Sequence, residues 1–264
     1  AHWTEDAQYT ITFDHNDGLS TTTQVNVIIG QPVVLPQAPT KADSIFDGWY
    51  TLAEGGTEVT SSTVPTASVT YYAHWIDGYT ISFDSHGGTS KADIIIPQGS
   101  ALGDLKPHPS KEGYYFAGWY TTSSYTTKVN SVTEPDANIT YHAKWIESPE
   151  AEIDGCYYET LTDAISDVPT NNIETTIKVF RDVVGLNSIA EGQNIVFNLQ
   201  TYTLSNSVTS VISNSGTLKI YNGKIQCSAT SGVINNNSTG VLEISGGTIA
   251  AIGTRQAIYN DGGE

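Results

Sequence analysis

The side chains best suited to bind a metal ion are the six histidines of this 264-residue chain. All six precede residue 145, where they fall in predicted turns or strands. Their spacing lacks the short intervals that are typical of zinc sites. Asp14 and Asp17 share one turn, but two carboxylates supply too few oxygen ligands for calcium. The sequence therefore predicts no metal ligands and no cofactor.

Acidic side chains that could cleave a polysaccharide are sparse in the second half of the chain. Glycoside hydrolysis needs two carboxylates that flank the scissile bond. Lys219 and Glu243 occupy equivalent positions in successive short repeats, so we expect a surface ion pair there rather than a catalytic pair. Neither a Gly-x-Ser-x-Gly nor a Cys-x-x-Cys motif occurs. We therefore expect no catalytic residues and no enzymatic activity. The charged residues from position 181 onward are Arg181, Asp182, Glu191, Lys219, Lys224, Glu243, Arg255, Asp261 and Glu264.

The overall charge disfavours two classes of partner. With 28 acidic and 11 basic residues, the formal net charge is −17, which is unsuited to nucleic acid or to an anionic membrane. The chain has no apolar run of the roughly 18 residues that a membrane span requires. Cys156 and Cys227 can form one disulfide at most. Two separate thiols are the favoured interpretation, and the disulfide stays open as the alternative.

The five tryptophans mark an internal repeat. Trp75 and Trp145 each close an Ala-x-Trp motif and are 70 residues apart. Trp49 and Trp119 each lie in a Gly-Trp-Tyr motif and are also 70 residues apart. The first three residues, Ala1-His2-Trp3, match the end of such a unit. We therefore expect a slice of a longer tandem array.

Each unit begins and ends with an alternation of apolar and polar residues that predicts a β-strand. A glycine-containing turn and a second apolar run complete a predicted hairpin. A proline-rich middle follows, in which residues 102–105 are long enough for one helical turn at most. The predicted order is strand, strand, short helical or irregular crossover, strand, strand. The apolar residues of these runs are Tyr9, Ile11, Phe13, Val25, Val27, Ile29, Val69, Tyr71, Ala73 and Trp75, then Tyr79, Ile81, Phe83, Ile94, Ile95, Ile96, Ile139, Tyr141, Ala143 and Trp145.

This combination of Tyr-x-Ile-x-Phe-Asp, a glycine turn, Gly-Trp-Tyr and a closing Tyr-x-Ala-x-Trp resembles the Listeria–Bacteroides repeat, the internalin-type B repeat. Asn16-Asp17-Gly18 departs from the Asn-Gly-Gly turn usual in the family. The resemblance implies small β-grasp-like modules of secreted or cell-wall-attached bacterial proteins, which serve as stalk or adhesion elements. It predicts the tail of a preceding repeat and a linker at 1–8, a first repeat at 9–76 and a second repeat at 77–147.

The tryptophans admit two interpretations. Exposed indoles stack on sugar rings, whereas buried ones stabilise a small core by a few kcal/mol each. Their fixed place beside apolar neighbours in alternating strands favours the core. Tyr72 and His74 alternate with those apolar residues, as do His142 and Lys144, so these four are the better candidates for a contact surface.

The C-terminal segment begins with a predicted linker, Ser148-Pro149-Glu150, and a short amphipathic helix. Leu161, Ile165 and Val168 share one helical face. Thr160 with Asp163 resembles a capping box, and Pro169 ends the helix.

Beyond this helix, aliphatic residues recur about every 22 positions, which predicts a parallel β-helix. Inward aliphatic side chains would stack between rungs, asparagine amides would hydrogen-bond from rung to rung, and the helix would cover the open first coil. The predicted stacks are Ile177/Val179, Phe197/Leu199, Leu218/Ile220 and Leu242/Ile244; Ile212, Ile234 and Ile258; Leu204, Ile225 and Ile249; and Asn214, Asn236 and Asn260.

The Tyr-x-Thr-Leu-x-x-Ala-Ile sequence that starts at Tyr158 resembles the pectate-lyase-like β-helix superfamily. That resemblance implies a right-handed, truncated β-helix over 148–264. The expected fold is mainly β, with two β-grasp-like modules followed by the N-terminal coils of the β-helix and its short capping helix.

Two functions fit these features. The first is a non-catalytic stalk, spacer or adhesion segment of an extracellular, cell-surface or cell-wall-attached protein, whose partner would be a host or bacterial surface glycan or protein. The alternative is an accessory fragment of a polysaccharide lyase or hydrolase with catalytic coils beyond residue 264.

Overall fold

A computed structural model of the chain describes residues 7–228, 232–252 and 256–264. The predicted remnant Ala1-His2-Trp3 and the basic residue Arg255 lie outside the described residues. The described fold is mainly β and contains one short helix. The chain divides into two compact units: the first extends to Phe83 and adds Ala92–Leu105 and Asn130–Tyr141, and the second comprises Asp84–Lys91, Lys106–Val129 and His142–Glu264.

The strands of the two repeats are β1 (Gln8–Asp14), β2 (Thr22–Ile28), β3 (Ser44–Tyr50), β4 (Glu58–Val59), β5 (Val69–Asp84), β6 (Ile94–Pro97), β7 (Tyr115–Tyr120) and β8 (Ile139–Ile146). The first unit is built on a mixed sheet in the strand order β2-β1-β5-β3-β4. The alternating opening run and the run after it form the predicted antiparallel hairpin, while the opening strand also pairs in parallel with the closing strand, so that Ile11 lies opposite Val69.

The closing strand of the first repeat and the opening strand of the second form a single 16-residue strand, β5. Asp77 pairs with Ser44 of β3, and the next residue, Gly78, pairs with Pro97 of β6. Strand pairing thus passes from one repeat to the next without an unpaired residue. Gly78 also has little space, since a Cβ at this position would lie 2.7 Å from Ile95.

A β-bulge explains the glycine of both Gly-Trp-Tyr motifs. The register shifts between Phe46 and Gly48 in β3, and again between Phe116 and Gly118 in β7. The φ angles are 140° at Gly48 and 130° at Gly118. Residues other than glycine rarely adopt this region of φ.

The crossover of the second repeat is irregular, which confirms one of the two predicted alternatives. Residues 102–105 form no helical turn. Gly103 adopts a φ of 67°, and Pro107 follows closely, so the backbone cannot continue a right-handed helix.

The C-terminal region is a β-solenoid of three parallel sheets, as the 22-residue period predicted. An antiparallel hairpin of β9 (Ala151–Ile153) and β10 (Cys156–Tyr158) pairs with the first solenoid strand, β11 (Glu174–Val179). Sheet one contains β9 (Ala151–Ile153), β10 (Cys156–Tyr158), β11 (Glu174–Val179), β14 (Asn194–Asn198), β17 (Thr217–Tyr221) and β20 (Val241–Ile244). Sheet two contains β12 (Val183–Val184), β15 (Thr203–Asn206), β18 (Lys224–Cys227) and β21 (Thr248–Ala251). Sheet three contains β13 (Asn187–Ile189), β16 (Ile212–Asn214), β19 (Ile234–Asn236) and β22 (Ile258–Asn260).

The predicted stacks are confirmed in sheets two and three, and one step is wrong in sheet one. Phe197 lies opposite Ile220, not Leu218, whose partner is Ile195. A shift of two residues keeps every side chain on the same face of a strand. The alternation of apolar residues therefore cannot distinguish the two registers.

The short helix α1 (Leu161–Asp167) begins as predicted, with the Thr160 side chain accepting a hydrogen bond from the Asp163 backbone amide. Leu161 and Ile165 belong to the solenoid core. The Gln193 amide donates to the carbonyl oxygens of Ile165 and Val168 at 2.7 and 2.9 Å. The helix thus packs on the first coil as expected, but the β9–β10 hairpin is what pairs with the edge of the first sheet.

Candidate functional site

The tryptophans are structural, as the alternation predicted. Trp49 is 2% exposed and Trp119 is 3% exposed. Trp75 and Trp145 are half-buried, and each indole Nε1 donates to the carbonyl oxygen of a turn residue, at 2.9 Å to His15 and 3.0 Å to Ser85. These four indoles therefore do not form an exposed row that could stack on sugar rings.

The same turn in the second repeat carries the candidate functional site. Asp84 ends β5, and its Oδ1 accepts a hydrogen bond of 2.9 Å from the backbone amide of His86. The indole of Trp145 holds the intervening Ser85 carbonyl, while Lys111 Nζ donates at 3.0 Å to the His86 carbonyl. Three hydrogen bonds therefore hold the turn in place without a ligand.

His142 completes the site from β8. Its Nδ1 lies 3.2 Å from Nε2 of His86 and 3.6 Å from Oδ2 of Asp84, and Nδ1 of His86 lies 3.7 Å from the same oxygen. The two imidazole rings stack with centroids 5.3 Å apart. Side-chain exposure is 47% for Asp84, 31% for His86 and 22% for His142, so all three are reachable from solvent.

Electrostatics at the site favour the ionised carboxylate. The backbone amide of His86, more than any other group, lowers the pKa of Asp84, and the two histidine rings lower it further. The deprotonated carboxylate and the two imidazoles each offer one ligand atom, and the three atoms lie within 4.8 Å of one another. Such a set of donor atoms can hold a metal ion.

The first repeat has the same turn without the same donors. Asp14 corresponds to Asp84, and its Oδ1 again accepts a 2.9 Å hydrogen bond from the residue two positions on, Asn16. The position of His142 is taken by Tyr72. Only the second repeat therefore combines two imidazoles with the carboxylate.

Sequence spacing missed this site because the two histidines lie 56 residues apart. The strand pairing of β7 with β8 places His142 opposite Tyr120. No local sequence motif indicates that His142 lies next to His86. Matching the two repeats position by position would have given the signal, since His86 and His142 both replace uncharged residues of the first repeat.

The remaining members of the predicted contact surface are half-exposed and already engaged. His74 stacks on Tyr50 with centroids 3.9 Å apart, and its Nε2 lies 3.0 Å from the Leu52 carbonyl oxygen. Lys144 Nζ lies 3.0 Å from a carboxylate oxygen of Glu159. These side chains tie neighbouring segments together, so they offer less free surface than the alternation suggested.

A cavity of about 450 Å³ lies in the second unit and is lined in part by titratable groups. Lys128 Nζ donates to the Tyr158 hydroxyl at 2.6 Å and pairs with Asp167 at 2.7 Å, and that hydroxyl donates to the same carboxylate at 2.5 Å. Burial raises the pKa of Tyr158 strongly and that of Tyr120 to about 12. Both phenols stay protonated near neutral pH, so the cluster acts as a hydrogen-bonded tie between β-strands and helix α1.

The predicted ion pair of the solenoid is wrong in its acidic partner. Lys219 and Glu243 are neighbours in register, yet Lys219 Nζ lies 2.7 Å from Glu174, and Glu243 accepts a hydrogen bond from Ser245.

Cys156 and Cys227 form no disulfide with each other, in agreement with the favoured interpretation. Burial is the main cause that raises the pKa of the Cys156 thiol.

Among the described residues, no helix is long and apolar enough to cross a membrane.

Comparison with known proteins places these features in a family. The Listeria-Bacteroides repeat domain family matches residues 9–74 and 79–144, half of the chain. A protein of Evansella cellulosilytica named "Putative membrane protein" is 30% identical over 174 residues, which cover 64% of this chain and 26% of that protein. Internalin H of Listeria monocytogenes is 32% identical over 173 residues, which cover 64% of this chain and 29% of that protein. The alignments thus span less than a third of either relative.

The repeats and the similarity to Internalin H are those of a surface-protein repeat region. Two matched copies of the repeat, followed by a β-solenoid, account for the described structure. The protein belongs to the Listeria-Bacteroides repeat domain family.

Proposed function

We propose that this chain is a non-catalytic spacer and adhesion segment of a bacterial cell-surface or secreted protein. The observation that carries the proposal is the continuous strand β5, which joins the two repeats without a linker. A spacer needs stiff junctions, because a flexible linker lets the ends of an array approach each other.

Side chains reinforce the junction between the repeats. Thr80 Oγ1 donates to Asp43 Oδ1 at 2.6 Å, and the backbone amide of Gly78 donates to the Asp43 carbonyl at 2.9 Å. Asn138 Oδ1 accepts a 2.9 Å hydrogen bond from the Thr80 amide. Residues from both repeats thus fix one stretch of backbone, which supports a stiff junction.

The entry to the solenoid is packed as well. The predicted linker includes Glu150, whose amide donates to the Tyr158 carbonyl at 2.9 Å and whose carboxylate accepts from the Leu161 amide at 2.8 Å. Arg181 binds the other oxygen of that carboxylate at 3.0 Å. A segment with these contacts has little freedom to act as a hinge.

The contacts of the acidic residues favour a non-catalytic solenoid. Glu152 is buried and pairs with Lys178 at 3.0 Å, and Glu174 pairs with Lys219 at 2.7 Å. Asp182 accepts a 2.8 Å hydrogen bond from the Thr203 amide. Carboxylates with these structural partners are poorly placed to flank a glycosidic bond. The adhesive role is assigned to the solenoid, whose partner is a surface glycan or protein.

Limited proteolysis tests the packed junctions. Thermolysin cleaves before Ile76 and Tyr79 when that backbone is mobile, and we expect both bonds to resist cleavage in the folded chain. A matched variant with Gly-Gly-Ser inserted between Asp77 and Gly78 should be cut there. Equally fast cleavage of both chains at this junction would contradict a stiff spacer. Release of reducing ends or unsaturated sugars from pectate or related polysaccharides would contradict a non-catalytic segment.

A further inference from the structure

We propose that Asp84, His86 and His142 bind one transition-metal ion of the zinc class. This inference concerns a site that neither the spacer role nor the repeat fold requires. It follows from the donor atoms, their separations and their contrast with the first repeat.

The separations suit a tetrahedral ion. Bonds of about 2.1 Å in tetrahedral geometry place neighbouring ligand atoms about 3.4 Å apart. Oδ2 of Asp84 lies 3.7 Å from Nδ1 of His86 and 3.6 Å from Nδ1 of His142. All three ligand atoms lie within 4.8 Å of one another, so modest side-chain rotations can bring them to the separations that a tetrahedral ion requires.

The donor set selects the class of ion. Imidazole nitrogen suits zinc, copper and nickel, whereas calcium and magnesium take oxygen ligands almost throughout. Three protein ligands leave a fourth position of a tetrahedral ion open. Because Asp84 is about half exposed, water or an external donor group can occupy that position.

The ligands are held before an ion arrives. The Asp84 carboxylate uses Oδ1 to accept from the His86 amide, which leaves Oδ2 directed at the two rings. His86 has a φ of 44°, a left-handed conformation that is uncommon for residues other than glycine. His142 is fixed in a paired strand.

The first repeat supplies an internal contrast. Asn16 takes the corresponding left-handed position with a φ of 49°, and its turn makes the same hydrogen bond to Asp14. With Asn16 and Tyr72 in place of the two histidines, this turn has the fold of the site but no imidazole at either ligand position. The fold of the turn therefore does not depend on His86 or His142.

Calorimetric titration of the full chain with zinc chloride tests the proposal, and we expect one ion bound per chain. The variant H86N/H142Y gives the second repeat the residues of the first, and we expect it to bind zinc at least about tenfold more weakly. The control H15S/H74K exchanges the two histidines of the first repeat for the residues of the second, and we expect its affinity to be unchanged. Circular dichroism checks that both variants fold.

A second variant separates the charge of the site from its fold. D84N keeps an Oδ1 acceptor for the His86 amide but removes the anionic ligand, so we expect weaker zinc binding by a variant that still folds in the absence of metal. Imidazole signals of His86 and His142 in nitrogen-proton NMR spectra should shift on addition of zinc. Failure of the native chain to bind zinc, or unchanged affinity of H86N/H142Y, would overturn the proposal.

Discussion

The hydroxyl of Thr80 in the second repeat donates a hydrogen bond of 2.6 Å to the carboxylate of Asp43 in the first. The residues lie 37 positions apart and meet because β5 runs on from one repeat into the next. The junction is therefore closed by side chains as well as by strand pairing, and it gives the spacer proposal its most direct structural support.

Replacing Thr80 by valine should make the chain less stable at neutral pH and less sensitive to acid. The hydrogen bonds from Thr80 and Asn138 lower the pKa of Asp43 below its ordinary value of 3.8. This stabilisation is present above pH 3.8 and is lost as the pH falls through the lowered pKa of the folded state. Thermal melts of the native chain and T80V at pH 7 and pH 2 measure the effect. A T80V deficit that is as large at pH 2 as at pH 7 would argue against it.

The Trp49 side chain should stabilise the folded protein mainly by packing. Its ring contacts Phe13 edge-on at a centroid distance of 4.8 Å, and its buried Nε1 has no hydrogen-bond partner in the part of the chain that the structure describes. We expect W49A to lose about 3–5 kcal/mol of unfolding free energy. W49F should lose clearly less, because it keeps an aromatic ring and removes a buried unpaired N–H. Urea denaturation compares the variants, and equal losses in both would be inconsistent with this account.

The asparagine ladder should matter more than its surface neighbours. Asn214 donates to Asn236 at 2.7 Å, and Asn236 donates to Asn260 at 3.1 Å. Replacing Asn236 by alanine leaves the buried Asn214 amide without one of its acceptors, at a cost of about 1–3 kcal/mol. Asn235→Ala is the matched control on the half-exposed face of the same strand. Denaturant midpoints of N236A and N235A that coincide would refute the structural role of the ladder.

Strand positions and inward faces could be predicted from the sequence, whereas contacts between distant segments could not. The alternation around Ile11 and Phe13 identifies a buried face, because one face of the strand must be apolar. The same period of two left the register of Phe197 ambiguous by two residues. The predicted boundary between the repeats, after residue 76, lies inside the continuous strand β5. The proximity of His86 and His142 depends on tertiary pairing, so neither residue carried a local signal.

Alkaline pH should destabilise the second unit through Tyr120. Burial raises the pKa of this phenol from 10.0 to about 12. Stability is fully present below pH 10 and falls as the pH rises from 10 toward 12, because only the unfolded chain ionises readily there. Melting temperatures between pH 8 and pH 11.5 should fall less steeply for Y120F than for the native chain. Parallel curves would show that Tyr120 does not contribute.

The central claim, that the two repeats form a stiff spacer, is tested most directly by a distance distribution across their junction. Leu19 and Val132 are 81% and 74% exposed and belong to different repeats of the same compact unit. Spin labels attached there through a non-natural amino acid leave Cys156 and Cys227 untouched. Pulsed electron paramagnetic resonance should give a single narrow distribution for the native chain and a broad one after Gly-Gly-Ser insertion between Asp77 and Gly78. A native distribution as broad as that of the insertion variant would contradict the account.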